Sequence, residues 1–181
     1  MGDIDRIRKI LTEDPNMKFG FVVFRCVYGN DKAWAKFMWH LNERVRRALK
    51  EEGAEEFLSV SIGACRSIHG FVMPMKGMYG GKQPLLFQRW MRETDEEDYW
   101  TGTSRFMVCV MVDRHDLKSV LKGPPPHKYD TFTEQHVTLV SANRKEGYTL
   151  VCLSSLVPRV YSLLDGCGWE NFAEEDDVAR P

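Results

Sequence analysis

Apolar residues recur at helical spacing from the start of the chain: Ile4, Ile7, Ile10 and Leu11 follow Asp3, a residue suited to N-capping, and Asp14-Pro15 ends the run. The pattern predicts a short helix that packs as an arm. From Lys18 to Tyr28 the period changes. Phe21, Val22, Val23, Phe24 and Val27 are β-branched or aromatic and fill both faces of an alternating pattern, which predicts a strand buried on both sides and central in its sheet. Gly29-Asn30-Asp31 then turns the chain and caps a long helix. Trp34, Phe37, Met38, Leu41, Val45, Ala48 and Leu49 line one face of that helix until Gly53 stops it. Its outer face is expected to carry Lys36, His40, Glu43, Arg44, Arg46, Arg47 and Lys50.

Leu58 to Cys65 reads as a weaker strand with Val60 and Ile62 on one face. Residues 69–84 are too rich in Gly and Pro for regular structure and too apolar for a solvated loop, so a loop packed on something is expected. Leu85 to Glu93 can form a short helix, and the acidic run from Glu93 to Asp98 reads as a solvated turn. Arg105 to Asp113 predicts a strong strand beside the first, with Phe106, Val108, Val110 and Val112 alternating against Met107, Cys109 and Met111. Leu117 to Leu121 gives a brief helix, and Gly123-Pro124-Pro125-Pro126 a stiff, exposed connector. His136 to Val140 and Tyr148 to Leu153 make two strands around an Asn143 to Gly147 turn. Ser154 or Ser155 starts a final helix through Leu164.

This order predicts an α+β fold, with an antiparallel or mixed sheet and helices on one face; a ferredoxin-like arrangement is the nearest simple architecture. Residues 1–169 read as one domain. Residues 170–181, with Glu174-Glu175-Asp176-Asp177, read as an acidic C-terminal tail that is expected to be mobile.

Composition narrows the partners. With 25 basic and 26 acidic residues, a formal net charge of −1 gives no overall field for nucleic acid or an anionic bilayer. The beginning of the chain is polar and acidic rather than basic and then apolar, and no apolar run approaches the length of a membrane span, so neither export nor membrane insertion is expected. Five cysteines, an odd number, with three inside apolar strand-like runs, fit reduced thiols in a cytoplasmic setting.

Candidate chemistry is sparse. Gly77-Met78-Tyr79-Gly80-Gly81-Lys82-Gln83 has the look of a phosphate loop. It lacks the glycine five residues before Gly-Lys and the hydroxyl residue after it, so no nucleotide cofactor is expected. His69, Met73, Met75 and Met78 form a thioether and imidazole set that would suit Cu(I), but flexible methionines at such spacing also fill grooves. No histidine pair shows zincin spacing, and no metal or other cofactor is expected. Asp113-Arg114-His115-Asp116 is the densest ionisable cluster. Asp113 and His115 are the acid and base candidates, against a reading in which Asp113 or Asp116 caps a helix. Arg25 interrupts an apolar strand face, so it pairs with a carboxylate or recognises an anion.

Two stretches resemble a family of small fungal α+β proteins with no assigned activity. They are Phe19-Gly20-Phe21-Val22-Val23-Phe24-Arg25-Cys26-Val27-Tyr28-Gly29 with the Trp34 helix, and Met107 to Asp113 together with Tyr148 to Trp169. The likeness lies in a strand ending in Arg-x-x-Tyr, a Trp-bearing helix and the late Tyr161-Ser162-Leu163-Leu164-Asp165 run. The stretch from His69 to Lys82 departs from it. The resemblance implies a fungal source and an α+β fold, and it supplies no activity or catalytic residues to carry over.

The expectation is a non-catalytic binding or interaction protein, whose ligand is a small organic molecule or a protein partner. Its ligand-binding residues would be Arg25, Tyr28, Met73, Met75, Met78 and Tyr79. The alternative is a small cofactor-independent enzyme or accessory protein of fungal secondary metabolism, with a pocket over the sheet and Asp113 or His115 as acid or base. Ferredoxin-like sheets often pair, so a homodimer is the assembly to test.

Overall fold

The computed structural model describes residues 2–13, 19–57, 87–89, 91–92, 103–128, 130, 134–166, 168–174 and 177–181. The elements run α1 (Asp3–Glu13), β1 (Val22–Arg25), α2 (Asp31–Glu51), the one-turn α3 (Ser104–Met107) and β2 (Val108–Val112). They continue with α4 (Arg114–Lys122), β3 (His136–Ser141), β4 (Tyr148–Cys152), α5 (Tyr161–Gly166) and β5 (Val178–Ala179).

The strands form one mixed, five-stranded sheet in the order β1-β2-β3-β4-β5. β1 and β2 are parallel, with Val22 opposite Cys109 and Arg25 opposite Val112, and α2 lies in the long crossover that a parallel pair requires. β3 is antiparallel to both β2 and β4, and β5 runs parallel to β4. A ferredoxin-like split βαβ unit inserts a strand between its parallel pair. Here β1 and β2 are hydrogen-bonded neighbours.

Alternation along the strands divides the core. Val23, Val108, Val110, Val112, Val137, Leu139 and Val151 join Trp34, Phe37, Leu41 and Leu49 of α2 and Val160, Tyr161 and Leu164 in one cluster. Val22, Phe24, Cys109, Met111 and Val140 turn the other way, onto Phe87, Met91 and Phe106. Helical residues 87–89 and 91–92 therefore cover part of the second face, so the helices are not confined to one side. The two-sided burial of β1 has the same origin. β1 is an outer strand among the described residues, not the central one expected, and it is buried on both sides because apolar layers cover both its faces.

Other sequence expectations change for local reasons. Ser104–Met107 is helical, so β2 begins at Val108; there Arg105 is buried, with Nη1 donating to the Gly20 carbonyl at 3.4 Å. The final helix begins only at Tyr161, since Val157 is extended, as a residue before proline tends to be. The end of the chain is not loose: Val178–Ala179 pairs with Leu150 and Val151, and Ala179 is fully buried. His40 and Arg44 are buried rather than on the solvent face of α2. The predicted strand from Leu58 to Cys65, the loop from 69 to 84 and the acidic run from 93 to 98 lie outside the described residues. Among the described residues no helix is long and apolar enough to cross a membrane.

Candidate functional site

Parallel β1 and β2 end side by side, and Cys26 N donates to the Val112 carbonyl at 3.0 Å just beyond them. β3 is antiparallel to β2, so its first residue, His136, starts at this same end. Carboxyl ends of parallel strands are where open α/β sheets commonly bind ligands, because the turns that follow display side chains there.

On the β1 side, Arg25 and Tyr28 form one knot. Arg25 Nε donates to the Val27 carbonyl at 2.7 Å and Nη2 to Asp31 Oδ1 at 2.6 Å, while its guanidinium stands 5.4 Å from the Tyr28 ring centroid and 5.2 Å from that of Trp34. The Tyr28 hydroxyl donates back to the Arg25 carbonyl at 2.6 Å, leaving the residue 39% exposed. Gly29, with φ of +89°, turns the chain toward α2, where the Asn30 side chain accepts from Ala33 N at 3.0 Å. Of the two roles read from the sequence for Arg25, the ion pair is present.

On the β2 side, Asp113 caps α4. Its Oδ1 accepts from His115 N at 2.6 Å and Asp116 N at 2.9 Å, and Asp116 Oδ2 accepts from Asp113 N at 3.0 Å. Asp116 is only 1% exposed, and its other oxygen accepts from the Thr138 hydroxyl at 3.1 Å. Burial pushes the Asp116 carboxyl up to about 7, outweighing the Asp113 N–H and Thr138 hydroxyl that favour its anion. Cys26 lies within the field of both aspartates, and burial first, then their charges, push its thiol up to about 12. That shift keeps the thiol protonated at neutral pH, and Cys26 packs against the second apolar cluster.

His115 stands exposed on the first turn of α4, and its Nδ1 lies 3.3 Å from His136 Nε2 on β3. Burial, then the neighbouring His115, lower the proton affinity of His136. Gln135 fixes the start of β3 from the core. It is fully buried: Nε2 donates to the Val120 carbonyl at 2.6 Å and the Pro124 carbonyl at 3.0 Å, and Oε1 accepts from Arg44 Nε at 2.7 Å. Arg44 also donates to the Pro124 and Lys128 carbonyls, and Asp130 accepts from Glu134 N and Gln135 N. The proline connector is therefore clamped onto α2, where the sequence suggested a stiff, exposed connector.

The structure thus brings Arg25, Tyr28, Asp113 and His115 to one end of the sheet and adds Asp116, Thr138 and His136, which are not among the site residues expected from sequence. An antiparallel return strand could have signalled His136, because its start had to meet the end of β2. Met73, Met75, Met78 and Tyr79 lie outside the described residues. Comparisons with protein-family models, curated proteins and solved structures find no match. What the fold and site define is a class: a mixed-sheet α+β chain with a polar, aromatic and imidazole-bearing strand end.

Proposed function

We propose that this chain is a non-catalytic binding protein that takes a small organic molecule, or a segment of a protein partner, at the sheet end bearing Tyr28, His115 and His136. One observation carries the reading. The exposed Tyr28 and His115 rings and the half-buried His136 stand at the carboxyl end of the parallel strands, while Arg25 is paired with Asp31 and Asp113 Oδ1 caps α4. An aromatic face beside adaptable donors and acceptors is suited to holding a polar organic ligand.

A screen of small polar and aromatic molecules by amide NMR is expected to shift Cys26–Tyr28 and Asp113–His115 first. Hits confined to other parts of the sheet overturn the assignment. A reduced, cytoplasmic setting belongs to this reading, supported by Cys26, Cys109 and Cys152 as free thiols. A homodimer is tested by sedimentation.

The catalytic alternative, a small cofactor-independent enzyme or accessory protein of fungal secondary metabolism, draws on Asp116. A carboxyl raised to about 7 on the helix turn that also carries His115 is the kind of perturbed group that proton-transfer sites contain. Its hydrogen bonds run inward to the Asp113 amide and Thr138, which favours the binding reading.

A further inference from the structure

The imidazoles of His115 and His136 meet from two elements that are held together by the α4 cap and the Gln135 clamp. His136 Nε2 and His115 Nδ1 are 3.3 Å apart, with ring planes inclined by 34° and centroids 5.3 Å apart. Two imidazole nitrogens bound to one tetrahedral ion at ordinary metal–nitrogen distances stand about 3.3–3.4 Å from each other. The separation that a shared ion requires is therefore already present.

The surroundings also favour a cation. Asp113 and Asp130 each act on His136 as negative charges. Among the described residues the His136 ring has one further hydrogen bond, to the Glu134 backbone, and no set of three or more His, Cys, Asp or Glu is placed to hold an ion. A site here takes two ligands from the protein.

We propose that His115 and His136 together chelate a divalent transition-metal ion of the zinc or copper type, bound at the rim of the sheet with its remaining positions open to water or an outside ligand. Imidazole suits these ions, and an open coordination sphere separates such a site from a closed structural one. Coordination needs both facing nitrogens bare. The hydrogen between them moves through solvent to the far nitrogen of its own ring, so two neutral imidazoles release no net proton. The inference goes beyond the organic-ligand reading and does not need it, because the probe is the metal alone.

The test is titration of the untagged full chain with Zn(II) by calorimetry in a non-chelating buffer, with Cu(II) electron paramagnetic resonance to count bound nitrogens. One saturable site with two nitrogen ligands is expected. His115→Gln and His136→Gln should each weaken it by at least the roughly 10–100-fold that loss of an outer-shell partner costs in known metal sites. His127→Gln, at an exposed histidine elsewhere, should leave it unchanged. Should His136→Gln fail to fold, the exposed His115 decides the matter alone. Absence of saturable uptake at millimolar zinc, binding that survives His115→Gln, or a copper spectrum without two nitrogens overturns the proposal, whatever becomes of the organic ligand.

Discussion

Replacing Gln135 by Leu keeps a side chain of similar size in the core and removes the polar clamp at the start of β3. In the native protein its oxygen accepts from Arg44 Nε at 2.7 Å, and its nitrogen donates to the Val120 and Pro124 carbonyls. The Pro124 carbonyl still receives Arg44 Nη2 after the change, so three groups lose a partner: a buried guanidinium N–H, the Val120 carbonyl and, more weakly at 3.4 Å, His40 Nδ1. An unmet hydrogen bond to a charged group costs about 1.5–3 kcal/mol and a buried carbonyl about 1–3, so about 3–5 kcal/mol is expected. In urea unfolding this moves the midpoint down by roughly 2 M at a slope near 2 kcal/mol/M, with the slope itself unchanged. Arg44→Met in the same background should cost less than the sum of the two single changes by at least about 1.5 kcal/mol, because one interaction is counted in both. A loss under about 1 kcal/mol for Gln135→Leu, or additivity within about 0.5 kcal/mol, refutes the clamp as a shared network.

The remaining expectations concern neighbouring groups. Asp116 binds its proton more tightly folded than unfolded, with about 7 against 3.8, so its contribution is full below pH 4, falls as pH rises to 7 and is flat above. That window spans at most about 4 kcal/mol, and Asp116→Asn should remove it; equal pH slopes for the two proteins between pH 4 and 7 by chemical denaturation would contradict the assignment. Gly123→Ala should cost about 1–3 kcal/mol by calorimetric melting, because its Cβ would press on the Gln135 side chain, 3.0 Å from Cδ and closer to Cγ. Gly53→Ala meets no neighbour and should show only the smaller cost of its left-handed φ of +63°. Arg25→Met should cost more than Asp31→Asn, whose carboxylate is 88% exposed and whose pairing is worth less than about 1 kcal/mol; the reverse order in urea melts would shift the role of Arg25 from the two rings to the ion pair.

The chain displays its elements more clearly than their neighbours. α2 is legible because Trp34, Phe37, Leu41, Val45 and Leu49 repeat at helical spacing over 21 residues, and the Asn30 cap is where the turn residues place it. The alternation from Val108 to Val112 marks β2 and its pairing with β1, as expected. A strand buried on both faces reads alike in the middle of a sheet and at an edge roofed on each side, and so the position of β1 was not legible. The burial of His40 and Arg44 was hidden for a related reason. Their partners are backbone carbonyls and Gln135 from 80 to 95 residues away, and no local pattern announces them. At the site, Asp113 is visible as a cap and His115 as its neighbour, but the approach of His136 depends on which strand returns beside β2.

Both faces of β1 and β2 are filled by apolar side chains, so the polar chemistry of this region gathers at the strand ends, where α4 begins. Its exposed amides bring roughly half a unit of positive charge, which by itself repels a cation at His115. Asp113 reverses the balance, because a full carboxylate charge outweighs the half charge of the helix end while its Oδ1 satisfies two of those amides. Asp116 cannot add a second full charge below about pH 7, since burial keeps it protonated there. The imidazole pair therefore faces one dominant negative neighbour on its own turn, with Asp130 across the clamp. Converting Asp113 to Asn keeps an oxygen for the cap and removes that charge. Zinc affinity should fall in Asp113→Asn with little change in the α4 cap by amide exchange, and an affinity that stays level would show that the two nitrogens act without it.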